Sequence, residues 1–331
     1  MKIIALEEHF ADPAVQKAAG PAANALSPDF GLAYSPASGL PYCPSPEELT
    51  DLAEGRIAAM DAGGITMQVL SCLGAQQVPA DVAPGLVRAA NDRSAAAVRA
   101  HPDRFAAFAA LPTTAPEAAA AELDRCVSEL GFVGTMILGR TDGEFLDAPR
   151  FDPILARAAA LDVPIFLHPG VPPREITDSN YTGGLSPVVA TRLQTSAWGW
   201  HQETAVHFLH LVHSGVFDRY PDLQVILGHW GEMIPFYLDR VNEALPQQAT
   251  KLERSFHEYF RQNVYIAPSG LFSQAQLQFC LETVPLERIV FAVDYPFVGN
   301  EGVLPFFEQA NLPQESKNKI AHENAERLLR L

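Results

Sequence analysis

Residues 2–10 read KIIALEEHF. The apolar, β-branched run 2–6 predicts a strand, and Glu7-Glu8-His9 stand at its end. In extended backbone Glu7 and His9 point one way and Glu8 the other, so an acid and an imidazole share one face. Short apolar runs of the same kind recur at 66–71 (TMQVLS), 105–111 (FAAFAAL), 134–138 (GTMIL), 164–168 (PIFLH), 223–228 (LQVILG), 264–267 (VYIA) and 289–294 (IVFAVD). Helical periodicity fills the intervals at 46–62, 82–100, 116–130, 152–161, 203–214, 234–243 and 273–283, and again at 313–329 after the last run. Several strands are apolar throughout, as strands covered on both faces should be. Alternation of eight strands with helices implies parallel pairing and closure: an α/β chain forming a (β/α)8 TIM barrel. Two stretches break the rhythm. Residues 12–46 are rich in Pro, Ala, Gly and Ser, and residues 169–200 carry PGVPP, YTGG and several aromatics. Both read as long loop insertions, after strands 1 and 5, at the mouth of the barrel.

The chain has 331 residues, 48% hydrophobic and 19% charged, which suits one large core and a single barrel domain over 1–331. No run approaches the ~20 apolar residues of a membrane span. The N-terminal segment lacks the apolar region and cleavage site of a signal peptide, so a cytoplasmic location is expected. The net charge of −16 argues against nucleic-acid and anionic-membrane partners. Cys43, Cys72, Cys126 and Cys280 are scattered with no CxxC pair, and are expected to be reduced, mostly buried thiols.

In a barrel of this kind the C-terminal ends of the strands converge on the active site. Here those ends carry Glu7 and His9, His168, His229 and Asp294. Mixed imidazole and carboxylate donors suit Zn²⁺, Mn²⁺ or Fe²⁺. Any one of these residues alone has an ordinary structural reading, but their coincidence at four strand ends is what points to a metal. His207, His210 and His213 share one helix and read as a partly buried helix face. His101, His257 and His322 sit near helix ends or on solvated faces.

The motifs ALEEHF (5–10), FLHP (166–169), QETAVHFLHLVHSGVFDRYPDLQVILGHWGE (202–232) and FAVDYPF (291–297), with the tail ENAERLLRL (323–331), resemble the decarboxylase branch of the amidohydrolase superfamily. The γ-resorcylate (2,6-dihydroxybenzoate) decarboxylases are the nearest in pattern. The resemblance implies one divalent ion, Zn²⁺ or Mn²⁺, on Glu7, His9, His168 and Asp294, with Glu7-x-His9 standing where many superfamily members carry HxH. It implies a His229–Glu232 pair, the imidazole over the metal and the carboxylate orienting it. If GHWGE opens a helical turn, three-residue spacing lets the two meet.

The implied activity is non-oxidative decarboxylation of a hydroxylated aromatic acid. Asp294 would deliver a proton to the carboxyl-bearing ring carbon, and His229 and Glu232 would stabilise the phenolic oxygen or a water on the metal. Arg240 also matches the family and is a candidate to pair with a substrate carboxylate, in its own site or across a subunit contact, with a surface salt bridge as the alternative. Phe10, Trp198, Trp230, Tyr295 and Phe297 are candidates to clamp an aromatic ring, with core packing the alternative for each. Relatives commonly form dimers or tetramers, so a homodimer or homotetramer is expected. Segments 12–42 and 174–195 depart from the resorcylate decarboxylases, which leaves the exact substrate open. Two rivals remain at this point. The same ligands serve metal-dependent hydrolysis of a lactone, an amide or a C–C bond, with Asp294 as general base. A barrel that binds a ligand without catalysis is the other.

Overall fold

The structure, a computed structural model, describes residues 1–39 and 44–331; Cys43 lies outside the described residues. Among these, seven strands form: β1 (Ile4–Phe10), β2 (Met67–Cys72), β3 (Phe105–Ala107), β4 (Thr135–Leu138), β5 (Ile165–His168), β6 (Val225–Leu227) and β7 (Val264–Ile266). All neighbouring pairs are parallel, in the orders β1-β2-β3 and β4-β5-β6-β7. The two sheets join where Ala109 N donates to Gly134 O (2.8 Å) and Val133 N donates to Ala107 O (3.0 Å). The eighth run, 289–294, has too few regular pairs to count as a strand, yet it closes the ring. Val290 N donates to Ile266 O (2.9 Å), and Phe291 O accepts from Leu6 N (3.0 Å). The (β/α)8 barrel expected from the alternation is the observed fold.

Side chains sort into two apolar layers. Ile4, Leu6, Val69, Phe108, Met136, Phe166, Ile226, Val290 and Ala292 fill the barrel interior. Alternate residues such as Ala5, Leu70, Ile137, Leu167 and Phe291 face the surrounding helices. Burial on both faces is why these strands are apolar throughout. β1 carries one irregularity: its register against β2 shifts between Ala5 and Glu8. Such a bulge re-aims the following side chains, and it lies next to Glu7.

The helices match expectation with local revisions. The 46–62 helix breaks into Pro46–Thr50 and Glu54–Gly63. Asp51 causes the break, its carboxylate accepting from Ala53 N (2.7 Å) and Arg56 N (2.8 Å) in place of the helical pattern. Residues 313–329 form Gln314–Asn318, a π-helical Lys319–Glu323 and Asn324–Leu329. The two insertions are not simply loops. The first folds helix Pro13–Leu26, started by Asp12 capping Ala14 N and Val15 N. The second folds Arg174–Asn180 and Pro187–Gln194. They meet each other: Gln194 Nε2 donates to Ser27 Oγ (2.9 Å), and Arg192 stacks on Tyr34 (3.7 Å). Together they build one rim above the barrel end. Cys72, Cys126 and Cys280 are buried free thiols, as expected.

The histidines of helix Gly199–His213 have separate partners. His207 Nε2 accepts from Leu146 N (2.8 Å), His210 pairs with Asp147 and His213 stacks on Phe256. Burial pushes the His207 imidazole down to about 3, with Arg140 and His210 adding to the effect. The native state therefore stays neutral where the unfolded chain takes up a proton. Stability from this group is complete above the ordinary histidine value of about 6.5 and is lost below it at about 1.4 kcal/mol per pH unit. The expected result is a urea midpoint that falls from pH 7 to pH 5, with a shallower fall in His207→Gln; equal slopes in the two proteins would contradict this assignment.

Candidate metal centre and its neighbours

Glu7 and His9 come from the end of β1, His168 from the end of β5 and Asp294 from the closing segment. One donor atom from each lies within 4.8 Å of every other. His9 Nε2 stands 3.0 Å from Asp294 Oδ1, and His168 Nε2 stands 3.1 Å from Glu7 Oε1. Yet Glu7 Oε1 and His9 Nε2 are buried without a hydrogen bond of proper geometry. Buried polar atoms rarely go unmatched. Here they converge on a common centre instead of on each other, as donors to a cation do. The residues present therefore fit a divalent metal ion, with four ligands from two imidazoles and two carboxylates.

The groups behind the donors fix their direction. His168 Nδ1 donates to Pro169 O (2.8 Å), which leaves Nε2 for the centre. His9 Nδ1 meets Ser71 Oγ at 2.9 Å, with the same result. Ser269 Oγ donates to Glu7 Oε2. Glu8 points away from the centre, accepting from Val293 N (3.0 Å) and Gln68 Nε2 (3.2 Å). The opposition of Glu7 and Glu8 read from the sequence holds through the bulge. Burial lifts the Glu8 carboxyl well above the usual range, which offsets part of the cost of a second acid beside Glu7.

Gly228 is required by close approach: a Cβ there would fall 2.8 Å from both Glu7 Oε2 and Ser269 Oγ. Gly228→Ala is expected to weaken metal affinity by about 10- to 100-fold, the range for disturbing a ligand's support, without unfolding the barrel. A metal titration matching the parent protein would show that Glu7 tolerates the shift.

Beside the centre, His229 Nδ1 meets Glu232 Oε1 at 2.8 Å. The contact expected from the GHWGE spacing is present, but the turn is of the opposite hand. His229, Trp230, Gly231, Glu232 and Met233 all have positive φ, between 47° and 80°. This left-handed turn costs on the order of 1–2 kcal/mol for each non-glycine residue. Gly231 is the position where that conformation is free. Asp294 is also left-handed, with φ 70°.

His229 Nε2 stands 4.0 Å from Asp294 Oδ2. Burial alone would raise the Asp294 carboxyl, but the His229 and His9 imidazoles outweigh it and hold it far below the ordinary range. Burial opposes the charge on His229, and Glu232, Glu7 and Asp294 overcome it, so its imidazole lies well above the usual value. Burial likewise pushes Glu232 up, while His229 and His201 pull it below the usual carboxylate range. Burial drives His9 down, keeping it neutral and able to donate a lone pair.

His201 was missed by the sequence reading. Its Nδ1 meets the other oxygen of Glu232, Oε2, at 2.8 Å, and its ring lies 4.4 Å from that of His229. No strand end signals it, since it opens a helix after the second insertion. Ser71 and Ser269 were also missed, although Ser71 lies at the end of β2 and Ser269 just after β7, and the strand-end rule applied to every polar residue would have found them.

Several expected ring contacts need correction. Phe10 faces the helix layer, because alternation along β1 turns it away from the barrel interior. Trp230 is buried against Phe306, with Nε1 donating to Leu271 O (2.7 Å), so it is a core residue. Tyr295 packs under Arg56. Trp198 is half exposed on the rim and donates to Gln202 Oε1 at 3.2 Å. Phe297 remains beside the centre, edge-on to His9 at 5.8 Å between centroids. Arg240 is not gathered with the site: its side chain is 71% exposed and pairs with Glu243 on the same helix.

Residues 46–331 match the profile of the family described as Amidohydrolase. The chain is 37% identical to decarboxylase orsB of Emericella nidulans, over 99% of this chain and 97% of that one. It is 36% identical to the γ-resorcylate decarboxylase of Rhizobium sp. strain MTP-10005, over 99% and 98%. Among solved structures it is similar to a 5-carboxyvanillate decarboxylase of Novosphingobium aromaticivorans complexed with manganese and 4-hydroxy-3-methoxy-5-nitrobenzoic acid. That likeness has a TM-score of 0.88 at 30% identity, covering 100% of this chain and 96% of that one.

Proposed function

This chain belongs to the amidohydrolase family and is a metal-dependent carboxy-lyase of hydroxylated aromatic acids; we propose that Glu7, His9, His168 and Asp294 hold its single divalent ion and that Asp294 is the proton donor. The observation that carries this assignment of roles is the convergence of the four donors with Asp294 next to the His229–Glu232 pair. We also propose manganese in preference to zinc. Two carboxylates favour the harder ion, and the similar 5-carboxyvanillate decarboxylase carries manganese.

The substrate proposed is a benzoic acid with a hydroxyl ortho to its carboxylate. The ion would supply Lewis acidity to those two oxygens. Phe297 limits the ring on the His9 side. Asp294 is ionised at rest, so its proton arrives with the phenolic hydroxyl of the incoming acid. It then adds this proton to the carboxyl-bearing carbon. As that C–H bond forms, the bond to the carboxyl group breaks, its electron pair returns to the ring and CO2 leaves; the phenolate oxygen then takes one proton from solvent, and the product departs as the phenol. His229, oriented through Nδ1 by Glu232, presents Nε2 to the phenolic oxygen.

Incubating purified protein with mono- and dihydroxybenzoates should release CO2 and the matching phenol. Acid release from lactones with no CO2 from any aromatic acid would overturn the assignment in favour of hydrolysis. We further propose one barrel domain over 1–331, a cytoplasmic location and a homodimeric or homotetrameric state. Near-complete matches to the relatives support the single domain, and exposed Phe236 and Tyr237, on the helix that carries Arg240, support self-association. No described helix is long and apolar enough to cross a membrane.

A further inference from the structure

We propose that His201 is a positioning residue for the reaction, acting through Glu232 on His229; this rests on the decarboxylase reading above. Glu232 is fully buried, and each of its oxygens has one imidazole partner at 2.8 Å: His229 on Oε1 and His201 on Oε2. A buried carboxylate with one oxygen unmatched is costly and rotates to recover a donor. Among the described residues, the only other imidazole in reach is His229, already bonded to Oε1. Removing the His201 donor therefore leaves Glu232 free to turn about its terminal bond, and His229 loses the fixed acceptor that sets its ring plane.

The far side of His201 is anchored as well. Its Nε2 lies 3.2 Å from Trp200 Nε1 and 3.0 Å from Ser196 O. With Nδ1–H donated to Glu232, a neutral ring accepts from Trp200; a protonated ring donates to Ser196 O. In both forms the ring is tied to segment 196–200. That segment is held in turn by the Tyr34 hydroxyl, which bonds Ser196 Oγ (2.7 Å) and Thr195 Oγ1 (2.8 Å). His201 is thus the link through which the rim built by both insertions bears on the His229–Glu232 pair. The left-handed turn from His229 to Met233 gives this link its importance. A turn held in a costly conformation needs its side chains fixed from outside, and His201 supplies the bond from another element.

The test compares His201→Gln, whose amide keeps an N–H for Glu232, with His201→Phe, which fills the space without a donor. Wild-type turnover of an ortho-hydroxybenzoate is measured first; its absence would sink the decarboxylase reading itself and leave the His201 question to the spectra. With turnover established, His201→Phe is expected to lower kcat by about 10- to 100-fold while KM stays within about threefold, the scale of losing support to a catalytic group. His201→Gln should recover most of that loss. The ¹H and ¹⁵N shifts of the His229 Nδ1–H, recorded in both variants, should show one hydrogen-bonded position in His201→Gln and a mixture of bonded and unbonded positions in His201→Phe. Unchanged kcat in His201→Phe, a loss confined to KM, equal losses in both variants, or identical His229 spectra would each overturn the proposal. Thermal unfolding of both variants identifies a plain folding failure, in which case the His229 spectra of the Gln variant decide.

Discussion

Asp294→Asn is expected to lower kcat for CO2 release by roughly 10³- to 10⁴-fold, the upper part of the range of about 10²- to 10⁴-fold attributed to a positioned general acid. The substitution is close to isosteric. Asn tolerates the left-handed backbone of this position, φ 70°, better than almost any residue but Gly, so the local fold should persist. Its amide oxygen can still face the cation, and Glu7, His9 and His168 are untouched, so most of the metal should remain. What the variant lacks is a group able to carry a proton to the ring carbon. Loss of turnover with metal content above half of wild type is the expected pair of results. Activity within tenfold of wild type would remove Asp294 from proton transfer and require a different acid, with His229, 4.0 Å away, the first to be examined.

Removal of the ion should have an effect of similar size on turnover and a second effect on stability. Dialysis against a chelator is expected to bring CO2 release below about 1% of the loaded protein, and Mn²⁺ should restore it, because orienting the substrate and polarising it depend on the same cation. The four donors are also repulsive or unmatched without it. Glu7 and Asp294 are two acids in one buried cluster, and Glu7 Oε1 and His9 Nε2 have no hydrogen bond of proper geometry to offset their burial. An ion at a thousandfold excess over its Kd stabilises the native state by about 4 kcal/mol, so the loaded protein should melt on the order of 5–10 °C higher. A melting temperature indifferent to chelator, with activity intact, would place the chemistry elsewhere in the molecule.

The left-handed run at His229–Met233 and the left-handed Asp294 show where this fold accepts local strain. Both lie at strand ends that carry proposed catalytic groups. A right-handed turn would also have brought His229 and Glu232 together by spacing, but it would have aimed the pair differently from the backbone that follows β6. Strain of this kind persists where the surroundings over-determine it. Here Trp230 N bonds to Ala267 O (2.7 Å), and Trp230 itself is locked into the core.

What the sequence determined by itself was whatever depends on near neighbours in the chain. The apolar runs with short period specify strands, the longer periods specify helices, and their alternation specifies a parallel barrel whose strand ends converge. Glu7, His9, His168, His229 and Asp294 were legible for that reason: each is a polar residue at the end of an apolar run. The helix Pro13–Leu26 was legible too and was passed over, since Asp12 and Pro13 are a good helix start hidden in a composition that suggests a loop. Tertiary structure alone decided the rest. Phe10 and Trp230 flank the motifs in the chain, but the pleat and the left-handed turn send them into the helix layer, away from the metal cluster. His201 stands 31 residues from Glu232 and reaches it only because the helix that follows the second insertion packs on the turn after β6. Contacts of that kind leave no periodic trace, because they are set by where whole elements dock and not by the residues beside them in the chain.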